Sequence, residues 1–339
     1  MKPINTLQVD GFRKNALYPS YKICHFFGCM NTYTNTTRTH TMYTQHFGLT
    51  KKPFSLSPDP QFLYLSPRHK KTLTILQYGI MSQAGVTVIT GEIGSGKTTV
   101  IRHVLNVLGD ECAVGLITNT HAAFGDLLSW VLQAFKIKER ADNQADRYQL
   151  LLDFFQRLHE EQRRAILIVD DAQNMDTQTL KELCLLSNIN IDSEVMVQLV
   201  LVGQPELIDK LKTPELIHFA QRISIEFHLT PLDYKETEGY ISHRLIIAGG
   251  SADIFPRVVC AVIYYFTGGV PRLINNLCDL CLAFSYAEDD LRVSLEIAID
   301  VIKEKMTGGI VPLVAQTNED GQKIKKLVLD KYAIDLDAI

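Results

Sequence analysis

The chain has 339 residues, 46% hydrophobic and 21% charged, with a formal net charge of −4. At roughly 100–200 residues per domain this suggests two domains, or one large one with extensions, and the mild acidity excludes any bulk electrostatic pull toward nucleic acid or an anionic membrane, leaving only a local basic groove open. The seven cysteines are odd in number and scattered, which excludes a disulfide framework and fits a reducing compartment; no apolar run approaches the ~18 residues of a membrane span, and the N-terminus lacks a signal peptide's apolar core, so a cytoplasmic protein, at most peripheral to the inner membrane, is expected.

Residues 1–41 are rich in Asn, Thr, Tyr and His and show no period of 2 or 3.6. They read as a disordered extension or, if Met42 is the true start, as an over-annotated one. Residues 53–60 are turn-rich, and Pro67 suits the first turn of a helix to about residue 81, with Leu73, Leu76, Tyr78 and Ile80 among its apolar positions. Strands are expected at 86–90, 112–118, 165–170, 197–203 and 223–227, most of them continuously apolar, as parallel strands buried on both faces must be. Helices near 97–108, 122–136, 145–162, 177–187 and 205–221 fall between them. This alternation predicts an α/β fold over residues 42–230: a parallel sheet with helices on both faces.

After residue 230 the pattern is helical. Asp233 and Glu236 have capping-box spacing for a helix to about residue 248, ended by Gly249-Gly250. Further helices at 255–267, 270–287 and 293–306 make residues 231–306 an all-helical second domain. Cys278 and Cys281 form a C-x-x-C pair inside an apolar helical stretch with no second pair, which favours core packing over a metal or redox role. Residues 307–339 are a charged tail. Ile324, Leu327, Val328 and Tyr332 offer it one short amphipathic face; a frayed end is the expected state, with a partner-docking helix as the alternative.

The segment Gly91-Glu92-Ile93-Gly94-Ser95-Gly96-Lys97-Thr98 matches the phosphate-loop pattern at every required position, between an expected strand and an expected helix. Its glycines let the backbone curl so that successive N–H groups face phosphate oxygens. The helix behind it presents its N-terminus to an anion. Lys97 is placed for the β- and γ-phosphates of a nucleoside triphosphate, and Thr98 for Mg²⁺, which prefers oxygen ligands. Downstream, Ala165-Ile166-Leu167-Ile168-Val169-Asp170-Asp171 is an apolar strand ending in two carboxylates. Asp170 is the expected second Mg²⁺ residue, acting through water, and Asp171 the group that orients the attacking water. Glutamate is commoner in that second role. Aspartate is one methylene shorter, and a misplacement of ~1 Å can cost on the order of 10²-fold in rate, so slow or partner-stimulated hydrolysis is expected.

Gln204 ends another buried strand, at the carboxyl side where open α/β sheets bind ligands. Arg222 precedes the last expected strand, and Arg272 follows Gly268-Gly269-Val270-Pro271 at a helix start. Either arginine could stabilise charge on a transferred phosphoryl group; position alone does not choose between them.

Together these residues resemble an AAA+ ATPase of the general secretion pathway protein A (ExeA-like) group, from Met42 to about Met306. The resemblance is carried by Pro53-Phe54-Ser55-Leu56-Ser57-Pro58-Asp59-Pro60, Phe62-Leu63-Tyr64-Leu65-Ser66, the phosphate loop through Thr99, Ile168-Val169-Asp170-Asp171-Ala172-Gln173, Leu201-Val202-Gly203-Gln204-Pro205-Glu206-Leu207 and Gly269-Val270-Pro271-Arg272-Leu273-Ile274-Asn275. It implies that Gln204 is the first sensor, that Arg222 is an arginine finger reaching a neighbouring subunit's site, and that Arg272 is the second sensor, carried on a helical lid. It also implies that residues 53–60 pack near adenine, making ATP the nucleotide. The family usually has Glu where Asp171 stands. Some members continue into a membrane span and a peptidoglycan-binding domain; this chain ends at Ile339 with neither, so direct cell-wall remodelling is not expected. The implied function is an ATP-hydrolysing motor or switch that self-associates and assembles an envelope secretion or export apparatus. Alternatives are a DNA-associated regulator resembling transposition helper ATPases, for which the Arg68-His69-Lys70-Lys71 cluster leaves room, and a nucleotide-gated scaffold that barely turns ATP over.

Overall fold

Continuously apolar strands need cover on both faces, and the chain supplies it with helices from two directions. The computed structural model describes residues 43–57, 59–107, 111–118, 126–139, 141–191, 194–309, 313 and 315–338. The expectations for residues 1–41 lie outside them. In chain order come α1 (Pro67–Met81), β1 (Val86–Gly91), α2 (Lys97–Val107), β2 (Cys112–Ile117), α3 (Leu127–Ala134), α4 (Gln144–Glu160), β3 (Arg164–Val169), α5 (Thr177–Leu186), β4 (Asn190–Ile191), β5 (Glu194–Val195), β6 (Val197–Gly203), α6 (Glu206–Leu211), α7 (Ile217–Ala220), β7 (Ile223–Leu229), α8 (Tyr234–Ile247), α9 (Arg257–Thr267), α10 (Pro271–Ala287), α11 (Leu295–Gly308) and α12 (Glu319–Tyr332).

Five strands form one parallel sheet in the order β2-β3-β6-β1-β7. Alternate residues of each central strand serve opposite faces. Val86, Val88, Leu167, Val169, Leu199 and Leu201 pack on one side with residues of α3 to α7. Ile89, Ile166, Ile168, Val200 and Val202 pack on the other with Leu73, Leu76 and Ile80 of α1 and Val100, Ile101 and Val104 of α2. The one polar side chain inside β6, Gln198, is buried because it closes the end of α1: its amide donates to the carbonyls of Gly79, Ile80 and Ala84 at 3.2 to 3.4 Å.

The structure departs from the expected elements in identifiable places. The helix expected at 205–221 is broken into α6, a 3-10 turn over Pro214–Leu216, and α7, because Pro214 lacks an N–H and pushes Thr213 out of helical geometry. The antiparallel pair β4–β5 is too short, at two residues each, to leave a pattern.

The C-terminal helices share a separate apolar cluster with Tyr43, Phe47, Leu49, Phe54 and Phe62. The segment before α1 is thus strapped to the helices that follow the sheet, with Thr50 N–H donating to the Ala248 carbonyl at 2.7 Å. Asp233 and Glu236 form the expected capping box at the start of α8. Cys278 and Cys281 are fully buried in α10, and burial pushes the Cys281 thiol up to about 12. The expected frayed end is a docked helix instead. Asn318 caps α12, and Ile324 and Val328, one turn apart, are buried against α9, while Leu327 and Tyr332 stay outside the contact. Among the described residues no helix is long and apolar enough to cross a membrane.

Candidate functional site

The carboxyl edge of β1 runs into the loop of residues 92–96, and α2 starts at Lys97. Gly94 and Gly96 take φ of +80° and +99°, which L side chains avoid. They curl the loop around a space rather than along the strand. Gly94 also meets α10: a Cβ there would lie 2.5 Å from Arg272 Cβ, and Arg272 N–H donates to the Gly94 carbonyl at 3.3 Å. Gly94→Ala is therefore expected to push Arg272 off the loop and weaken nucleotide binding at least ten-fold, roughly the loss of one phosphate contact; equilibrium binding of a fluorescent nucleotide measures it.

Lys97 is 8% exposed, and its ammonium donates to the carbonyls of Gly91 at 2.7 Å and Glu92 at 2.9 Å. Burial pulls its pKa down, opposed by the charges of Asp170, Asp171 and Glu92. Among the described residues, Ser95 Oγ is buried without a hydrogen-bond partner. A buried ammonium that leans on backbone carbonyls and an unsatisfied hydroxyl beside it fit an anion in the loop.

Strand order brings the second half of the site alongside. Thr98 Oγ1 donates to Asp170 Oδ2 at 2.9 Å, joining the start of α2 to the end of β3. Burial raises the Asp170 pKa, opposed by the Thr98 hydrogen bond. An oxygen pair of this kind suits a hard divalent cation. Asp171 follows in left-handed geometry at φ 54°, tolerable for aspartate. Its carboxylate accepts from the Gln173 amide at 3.2 Å, and Gln173 Oε1 accepts from Gln204 N–H at 3.1 Å. Lys210 in turn holds the Gln173 carbonyl at 2.7 Å. Gln173 therefore ties the end of β3 to the end of β6; in the sequence it stands only as a member of a quoted motif.

A cavity of about 560 Å³ opens over this edge. Lys97, Thr98, Thr99, Asp170, Asp171 and Gln204 line it from the sheet, and Arg272 and Asn275 from α10. Residues 55–57, Asp59, Phe62 and Tyr64 line it from the segment before α1, and Tyr240 and Arg244 from α8. His69, read in the sequence only as part of a basic cluster, is a buried wall residue. Its Nδ1 sits 2.9 Å from Ser66 Oγ, a Cβ at Gly96 would lie 3.2 Å from its Nε2, and burial pulls its pKa down. Tyr240 and Arg244 lack a local motif, and Asn275 stands only at the end of the Gly269–Asn275 stretch; the tertiary contacts single them out.

Arg222 is not in this cavity. Ile223 pairs with Val86 at the start of β1, whereas Leu229 pairs with Gly91 at the phosphate loop. At ~3.3 Å per residue, Arg222 is about 20 Å along the strand from its own chain's loop, and its side chain is exposed.

A model of the AAA domain matches residues 80–211. Fold and cradle together define a P-loop NTPase of the AAA+ class. General secretion pathway protein A of Aeromonas hydrophila is 37% identical over 253 residues, covering 74% of this chain and 46% of that protein. The chain is thus similar to AAA+ proteins of the general secretion pathway protein A type, and it spans about half the length of this curated relative. Among solved structures, the ORC2 protein of Aeropyrum pernix in its ADPNP–ADP complexes superposes with a TM-score of 0.57 at 14% identity, covering 84% of this chain and 85% of that one. Cdc6p from Pyrobaculum aerophilum gives 0.56 at 14% identity, over 82% and 86%. Both share the fold.

Proposed function

We propose that the protein binds ATP with Mg²⁺, hydrolyses it slowly, and uses the cycle as a cytoplasmic switch in assembling an envelope secretion or export apparatus. The observation that carries the nucleotide chemistry is the Thr98–Asp170 contact at 2.9 Å beside the buried Lys97 ammonium. Lys97 would exchange its two carbonyl partners for β- and γ-phosphate oxygens, and loop N–H groups would hold the same oxygens. Thr98 directly and Asp170 through water would hold Mg²⁺, which supplies charge neutralisation on the phosphates. Asp171 would orient the attacking water, with Gln204 beside it, and Arg272 would contact the γ-phosphate from α10. The Gln173 amide draws the short Asp171 side chain toward β6, which supports slow turnover awaiting a partner. The secretion or export role rests on the 37% identical relative, and action in trans by Arg222 implies self-association.

Phosphate release by purified protein tests the chemistry. Turnover should require Mg²⁺, and Asp171→Asn should keep ATP bound while releasing no more phosphate than Lys97→Ala; turnover indifferent to a chelator, or to Asp171→Asn, refutes it. In the native cell, loss of the protein should reduce export of an envelope or secreted product, restored by the wild type and not by Lys97→Ala. Unimpaired export refutes the pathway assignment and leaves the nucleotide chemistry standing.

A further inference from the structure

Arg244, on α8, is 7% exposed and lies in the wall of the nucleotide cavity. Among the described residues it has no carboxylate partner. Its donors go to neutral groups: Nε to the Pro53 carbonyl, Nη2 to the Ser55 carbonyl at 3.3 Å and Nη1 to the Tyr240 hydroxyl at 2.7 Å. Its Cζ lies 5.0 Å from the Phe62 ring centre and 5.5 Å from that of Tyr240. The Tyr240 hydroxyl donates onward to Asn275 Oδ1 at 2.8 Å, one turn along α10 from Arg272. A guanidinium buried without a counter-charge is costly, and an apolar side chain could fill the volume. What the arginine does that an apolar residue cannot is hold two backbone carbonyls of the segment before α1.

We infer that Arg244 is a positioning residue that sets the base preference of the cavity, by pinning the backbone of residues 53–57 where it walls the site. The inference rests on the ATP-binding reading. In a trans peptide the C=O and N–H point in opposite directions. Drawing the Ser55 carbonyl onto Arg244 therefore fixes the direction of the Leu56 N–H. The next N–H, of Ser57, is directed at Ser55 Oγ at 3.2 Å. A backbone edge of fixed polarity separates purines. Adenine presents a donor 6-amino group beside an acceptor N1; guanine presents an acceptor O6 beside a donor N1–H. An edge free to turn satisfies either base, whereas a fixed one leaves the wrong base with unpaired polar groups. Phe62, Tyr64 and Tyr240 add aromatic faces to the same wall, suited to stacking on a purine.

The test is titration of fluorescent ATP and GTP analogues into the wild type, Arg244→Met, Arg244→Lys and Tyr240→Phe, with Lys97→Ala as control. The wild type should prefer ATP. Arg244→Met should lower the ATP-to-GTP affinity ratio about ten-fold, mainly by weakening ATP. Arg244→Lys should recover part of the ratio, since an ammonium can still donate to one carbonyl, and Tyr240→Phe should fall between. An unchanged ratio in folded Arg244→Met overturns the inference, as does equal weakening of both nucleotides, which marks a purely structural role. So does a wild type without base preference. If Arg244→Met does not fold, unchanged ratios in Arg244→Lys and Tyr240→Phe overturn it. Binding of neither nucleotide by the wild type instead overturns the ATP reading itself, and binding that survives Lys97→Ala removes Lys97 from the site.

Discussion

Lys97→Ala is expected to abolish measurable ATP binding while leaving the fold intact. In the free protein the ammonium is buried against two backbone carbonyls at 2.7 and 2.9 Å, and burial lowers its pKa. Its charge is therefore held at a cost that the nucleotide phosphates would offset, and removing it relieves the free protein rather than unfolding it. A charge-assisted phosphate contact is worth about 1.5–3 kcal/mol. Two of them, to the β- and γ-phosphates, give a loss on the order of 10²–10⁴-fold in affinity. Thermal melting separates the two effects. At a hundredfold excess over its dissociation constant, ATP should stabilise the wild type by about 2.7 kcal/mol and Lys97→Ala by nothing, with the ligand-free melting temperatures alike. An unchanged ATP-induced shift in the variant would remove Lys97 from the site.

The second large effect is expected from Arg222→Ala, and only in trans. Arg222 stands at the start of β7, the opposite end of the sheet from its own chain's phosphate loop. Arg222→Ala should keep nucleotide affinity and lose turnover by about 10³-fold or more, the usual worth of an arginine finger. Asp171→Asn should also be inactive, because its own site lacks the water-orienting carboxylate. Mixed together, the two inactive proteins should regain phosphate release. An intact site of one variant then sits against an intact Arg222 of the other. Silence in the mixture, or full activity of Arg222→Ala alone, would mean that Arg222 does not serve a neighbour's site.

Strands and helices were legible where burial is periodic. The central strands β3 and β6 have no exposed residue and read as apolar runs, broken only by Arg164 at the start of β3 and Gln198 inside β6, and α8 announced itself through its capping box. Legibility failed where the deciding interaction was distant. Residues 43–62 have too little periodicity to assign, because their apolar side chains are buried by helices nearly two hundred residues later. The tail is charged and gives only a short amphipathic face, yet Ile324 and Val328, one turn apart, are buried with Leu313 and Leu336 in the C-terminal cluster, and Gln316 N–H donates to the Tyr265 carbonyl of α9.

For the site the same division holds, and it has one cause. The sequence alone determined the phosphate loop and its flanking lysine and threonine, since a curled run of N–H groups between a strand and a helix is made by contiguous residues. It also determined that a strand ends in Asp170 and Asp171. It could not determine that β6 inserts between β1 and β3, which sets Gln204 next to both, nor that Gln173 bridges Asp171 to Gln204. It gave no sign that Arg244 clamps a carbonyl 191 residues away. Sheet order and helix docking are settled by which apolar faces cover one another. That competition involves the whole chain at once and leaves no mark at any single position.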